Sequence, residues 1–122
     1  MEAGDTFKFK GLPHLWVVVS DPMLDPHQVL VINMSTDRGI DDSCILIPGD
    51  HLFVRHRTCM RYDRAMTRRN ADLEELLSGG QIILDERVSA PVLRRIRQGA
   101  AISDYIKIGY KQLLVRQSLI EP

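Results

Sequence analysis

The sequence predicts an α+β fold that is mainly β: a small, strongly bent antiparallel sheet or half-open barrel, with C-terminal helices packed on it. Three observations carry this expectation. Residues 4–62 are rich in β-branched residues and punctuated by Gly and Pro, so they read as short strands. The loops between the early strands are too short for crossover helices, which argues against a doubly wound parallel sheet. Residues 70–118 carry capping residues and helical apolar spacing, so they read as helices. Helices that follow strands, rather than alternate with them, are the α+β pattern. At 122 residues the chain is expected to form one domain, 1–122. That size buries an ordinary core without disulfides or a structural metal.

The elements follow in order. Thr6–Lys10 alternates Phe7 and Phe9 with Lys8 and Lys10, as a half-buried strand does, and Gly11-Leu12-Pro13 breaks it. His14–Ser20 is a continuous apolar run containing Trp16 and three valines, expected to be a central strand buried on both faces. Phe7, Phe9 and Trp16 are assigned to the core. Pro22 and Pro26 make the next stretch a loop. Gln28–Met34 is a second buried strand, 35–42 a polar loop, and Ser43–Ile47 a short strand ended by Pro48-Gly49.

Leu52–Tyr62 alternates again, and the spacing predicts a strand. Leu52, Val54, His56, Thr58, Met60 and Tyr62 fall on one face, expected to be core with polar insertions. His51, Phe53, Arg55, Arg57, Cys59 and Arg61 fall on the other, a basic stripe. A bulge would exchange the faces beyond it. Asn70 is expected to cap a helix over Ala71–Leu77 that stops at Gly79-Gly80. Gln81–Leu84 is a short strand. Ser89 caps Ala90–Gln98, with Pro91 in the first turn and Gly99 as terminator. Ser103 caps a last helix, Asp104 to about Gln117, whose stripe is Ile106, Tyr110, Leu113 and Leu114.

Net charge is zero, but the charge is segregated. Residues 1–50 hold eight acids and three bases, 51–69 six arginines and one acid, and 70–122 seven of each. This pattern describes a local anion site, not a surface coated for nucleic acid. Cys44 and Cys59 fit reduced, buried thiols. No CxxC or HExxH pattern supports a metal site, and no cofactor is expected. No apolar run approaches the roughly 18–20 residues that span a bilayer. The N-terminal residues lack a signal-peptide pattern, so a cytoplasmic protein is expected.

The candidate chemistry lies in histidines, hydroxyls and arginines. His14 begins the central strand and is either a proton-transfer group at a rim or a solvated histidine. His56 shares its face with Thr58 and Tyr62, as part of a polar pocket or as a structural histidine. His51 follows Asp50, which could orient it. His27, in the proline loop, is expected to be merely exposed. Ser35 and Thr36 bind a phosphate or form a turn. Arg55, Arg57 and Arg61 neutralise phosphates, bind an acidic partner, or guard a solvated edge. Tyr62 is the best base-stacking candidate.

The chain also resembles a known family. Gly4-Asp5-Thr6-Phe7 opens it, Val17–Ser20 ends the next strand as VVVS, and Met34-Ser35-Thr36 ends the strand after that. This order is similar to that of the PemK/MazF-like toxins of bacterial toxin–antitoxin pairs, over about residues 4–47. The resemblance implies an SH3-like barrel, usually a homodimer, and a metal-independent ribonuclease that cuts single-stranded RNA and is inhibited by an antitoxin. Ser35 and Thr36 match the family's catalytic hydroxyl. The family's arginine before the second-strand proline is absent: Leu12-Pro13-His14 stands there, so His14 would act in its place. The competing expectation is a non-catalytic binding module on the same barrel. RNA, an antitoxin and a second copy are thus the expected partners, with no membrane.

Overall fold

The computed structural model describes residues 1–122. Its strands are β1 (Thr6–Phe9), β2 (Trp16–Val18), β3 (Val29–Thr36), β4 (Ile45–Leu46), β5 (Thr58–Met60), β6 (Met66–Arg68) and β7 (Ile82–Asp85). Its helices are α1 (Asn70–Ser78), α2 (Ala90–Ile102) and α3 (Ile108–Arg116). The fold is therefore α+β and mainly β. All strand pairings are antiparallel, in the order β4-β5-β3-β2-β1-β7, with β6 also on β3. The end strands β4 and β7 do not pair, so the sheet is open. No helix is long and apolar enough to cross a membrane.

The long strand β3 organises the sheet because its residues are apolar on both faces. Leu30, Ile32 and Met34 join Leu15, Val17 and Val19 in a large core. Val29, Val31 and Val18 face the other way, into a smaller core with Phe7 and Ile82. Two-residue periodicity divides these runs between two hydrophobic layers, as expected for a central strand buried on both faces. Helix α2 (Val92, Ile96, Ala100) and helix α3 (Leu113, Leu114) close the large core; Leu73 of α1 closes the small one. Phe9 stands edge-on to both Phe7 and Trp16, with centroids 5.7 and 6.0 Å apart. All three aromatics pack in or against the small core, as predicted.

The structure corrects the sequence expectation over Leu52–Tyr62. Only Thr58–Met60 is strand; residues 52–57 form an irregular loop. The strict alternation of faces therefore fails. His51 is buried, His56 is exposed, and Thr58, Cys59 and Met60 are all buried. A 3₁₀ turn at Tyr62–Arg64 then separates β5 from β6, a strand the sequence did not predict. Both strands lie along β3, β5 on its end (Thr36 opposite Thr58) and β6 on its start (Val29 opposite Arg68).

Three helix boundaries also move. Helix α1 starts at Asn70, whose carboxamide oxygen accepts from the Met1 ammonium (3.2 Å) instead of capping the helix. Ser103 caps the C-terminal end of α2; Asp104–Lys107 stay outside α3. Gly99 does not terminate α2, which runs on to Ile102. It is there for close approach: a Cβ would collide with the Tyr62 hydroxyl and stand 2.8 Å from Cys44 Cβ. Ser89 caps α2 as predicted, accepting from Val92 N–H at 3.3 Å, with proline in the first turn.

Both cysteines are free and buried. Burial pushes the Cys44 thiol up to about 11 and raises that of Cys59. A thiol reagent at mildly alkaline pH is expected to label neither at an appreciable rate until denaturant exposes them, because the thiolate is the nucleophile. Rapid stoichiometric labelling of native protein would contradict this burial.

Candidate functional site

A cleft of about 290 Å³ opens where β3 ends. The β3 terminus supplies Met34, Ser35 and Thr36, and the segment entering β2 supplies Pro13 and His14. The loop before β5 supplies Phe53, Arg55 and His56, and β5 itself Thr58. Three sequence-distant segments thus meet, because antiparallel pairing sets the start of β2 and the start of β5 on opposite edges of the same β3 end. Thr36 Oγ1 lies 2.9 Å from His56 Nε2, within hydrogen-bond distance.

Local bonds explain how His56 is held there. The Thr58 hydroxyl donates to the His56 carbonyl (2.9 Å). Asp37 donates its N–H to the Arg57 carbonyl (3.1 Å), and its carboxylate accepts from Arg57 Nε (2.6 Å). The Asp37 carboxyl lies below its usual range because the Gly39 N–H and then the Arg57 guanidinium stabilise its anion. The turn carrying His56 is thereby tied on its C-terminal side by Asp37 and Thr58.

The structure separates the predicted residues into two groups. His14, Ser35, Thr36, His56 and Arg55 line one cleft. Arg55 is exposed and forms no ion pair, so its guanidinium is free to meet an anion. Arg57 is occupied by Asp37. Arg61 forms a two-bond pair with Asp63 at 2.8 and 2.9 Å. The two arginines are therefore not the free contact stripe that the alternation predicted. Tyr62, 1% exposed, donates to the Ile96 carbonyl (2.7 Å), and burial pushes its phenol far up. It cannot stack on a base.

His51 is likewise not available to RNA. It is 6% exposed. Its Nδ1 accepts from Phe53 N–H at 3.0 Å, which leaves Nε2 to donate to the Glu86 carbonyl at 2.5 Å. It clamps the loop that carries Phe53 and Arg55. The larger groove beside it, about 690 Å³, is lined by Asp50, Glu86, Arg87 and Arg95. Arg95 pairs with Asp50, and Arg87 with Glu2 and Asp5, so its arginines are already neutralised. The smaller cleft is the better candidate because its reactive groups are not.

Sequence reasoning passed over Phe53 and Pro13 as wall residues, and Asp37 as a positioning group. Pro13 adjoins His14, Phe53 lies two residues before Arg55, and Asp37 follows Thr36. Proximity to a candidate was the available signal. Lys8 also reaches this side, with its ammonium 4.9 Å from the Phe53 ring centre. No group of three or more His, Cys, Asp or Glu is arranged to hold a metal ion.

The loop leading into the cleft has an acid-sensitive tie. Burial acts to raise the Asp50 carboxyl, but hydrogen bonds from Arg95 and the Ile47 N–H outweigh it and hold the group below its usual range. A depressed folded value contributes stability above the unfolded value, near pH 4, and loses it as pH falls through the folded value. The stability of wild type in chemical denaturation is expected to fall below about pH 4. Asp50→Asn should be less stable at neutral pH and show a shallower acid decline. Parallel pH profiles would remove Asp50 from the account. No protein-family model, curated protein or solved structure matches the chain.

Proposed function

We propose that this protein is a toxin-like, metal-independent endoribonuclease that cuts single-stranded RNA and belongs to a toxin–antitoxin pair. The observation that carries the proposal is the contact between Thr36 and His56, 2.9 Å, in a cleft shared with His14, Ser35 and Arg55. On this reading the open sheet is a half-open SH3-like barrel of the PemK/MazF type. The protein works in the cytoplasm as a homodimer, and an antitoxin restrains it.

The chemistry follows from the residue types. One imidazole takes the proton of the ribose 2′-hydroxyl as that oxygen bonds to phosphorus. The phosphorus–O5′ bond breaks, and the second imidazole gives its proton to the leaving oxygen. The products are a 2′,3′-cyclic phosphate and a free 5′-hydroxyl. Arg55 offers its planar donors to the charge that builds on the phosphorane. The Thr36 hydroxyl orients His56, and Ser35 is a further donor to phosphate. His14 and His56 are the pair proposed for proton transfer, a role that imidazole can fill near neutral pH. A cleft of this size suits one nucleotide held out from a strand, not a duplex.

The test is incubation of pure, folded protein with mixed-sequence RNA in excess EDTA. Cleavage to cyclic-phosphate ends is expected. Intact RNA at micromolar protein, with a stoichiometric protein partner captured from a bacterial lysate, would instead favour the non-catalytic binding module.

A further inference from the structure

We infer that a bound RNA strand continues from the histidine cleft across Thr36 onto a flanking-nucleotide subsite made by Tyr105, Ile40 and Arg38. This deepens the proposed function and rests on it. Thr36 is the shared wall: it lines the cleft with His14 and His56, and also a small depression with Arg38, Ile40 and Tyr105. A strand held with its phosphate at Thr36 therefore has this surface as an immediate neighbour.

The depression holds only about 20 Å³, so a base cannot enter it and must lie across it. What it presents suits that. Tyr105 is 50% exposed and Ile40 is 60% exposed, an aromatic ring and an aliphatic side chain both open to solvent. Every base has a π-face, so such a platform accepts any sequence. The ring also has a fixed base: Tyr105 N–H donates to Ser103 Oγ (3.1 Å), and Ser103 Oγ donates to the buried Asp41 carboxylate (2.7 Å).

Charge is compatible with a nucleotide. The two acids in the depression are both occupied. Asp41 also accepts from the Ser43 N–H and hydroxyl at 3.0 and 2.5 Å, and Asp63 is held by both Arg61 donors. Arg38 is exposed and forms no ion pair, leaving its guanidinium for a phosphate. Tyr105 thus fills the stacking role expected of Tyr62, from a different element.

The experiment compares a nucleoside 3′-aryl phosphate, whose single nucleotide reaches only the histidine cleft, with a single-stranded oligoribonucleotide of about eight nucleotides. Wild type, Tyr105→Ala, Tyr105→Trp and Arg38→Ala are assayed for kcat/KM on both, after unfolding curves confirm native folding. Tyr105→Ala is expected to lose about tenfold on the longer RNA and little on the aryl phosphate, with Tyr105→Trp retaining both. Arg38→Ala should reduce the salt dependence of the longer substrate alone. Equal losses on both substrates, or none on the longer one, would overturn the subsite. If wild type cleaves neither substrate, the catalytic reading fails. Fluorescence anisotropy of the labelled longer RNA then decides the subsite separately: about tenfold weaker binding by Tyr105→Ala supports it, and unchanged binding refutes it.

Discussion

Replacing His56 by alanine is expected to lower kcat/KM on single-stranded RNA by about 10²–10⁴-fold, the range for losing a proton-transfer group. His56 is exposed and its side chain bonds only Thr36, so the fold should survive the change. Thr36→Val removes the orienting hydroxyl and keeps the shape; a loss of about two- to tenfold matches one hydrogen bond. His14→Ala should resemble His56→Ala, and the two together should cost far less than the product of the single losses, since the pair acts as a unit. The arginines supply an internal control. Arg55→Ala should slow cleavage by about 10²-fold, as for a lost transition-state donor. Arg69→Ala, whose guanidinium is tied to Asp72 and lines neither the cleft nor the depression beside it, should leave cleavage nearly unchanged. Comparable losses for both would favour a diffuse basic surface over a built site. Ectopic expression gives the cellular readout: slowed growth with wild type, and normal growth with His14→Ala and His56→Ala.

Gly99→Ala is expected to have the largest effect on stability, a loss of about 2–4 kcal/mol in urea denaturation. In an isolated helix this change helps by about 1 kcal/mol. Here the added methyl would overlap the Tyr62 hydroxyl and stand 2.8 Å from Cys44 Cβ and 3.0 Å from the Ser43 carbonyl. Overpacking of that kind costs about 1–3 kcal/mol, and displacing Tyr62 forfeits its buried bond to the Ile96 carbonyl. Gly109→Ala is the matched control, because nothing lies within 4 Å of a Cβ there. It should leave stability unchanged or raise it by up to about 1 kcal/mol. If both glycines respond alike, helix propensity and not close approach governs Gly99.

The two glycines illustrate which parts of this protein are local. Strand periodicity over Thr6–Phe9 and Val29–Thr36, the turn residues between them, and the Ser89-Ala90-Pro91 helix start depend on near neighbours in the chain. These were legible. So were the residue types of the candidate site: His14, Ser35, Thr36, Arg55 and His56 were all singled out before any geometry.

The alternation over Leu52–Tyr62 misled because period two is necessary for a strand but not sufficient. The His51 ring bonds the Phe53 N–H and the Glu86 carbonyl, and that clamp bends the chain out of extended form. The loop exposes His56 and leaves Arg55 beside it, where a strand would have pointed them apart. Tyr62 failed as a stacking group for a similar reason: the space that takes its hydroxyl is left by Gly99, thirty-seven residues away.

The sequence by itself determined the α+β class, the two-faced burial of β2 and β3, and the reactive groups at hand. Tertiary structure decided which of those groups meet. Arg57 was told apart from Arg55 by a carboxylate near it in space but distant in the chain, that of Asp37. The meeting of His14, Thr36 and His56 at one cleft depends on the register of β2 and β5 against β3. The physical reason is range: strand and helix preferences act over a few residues, whereas pairing partners and packing are chosen across the whole chain.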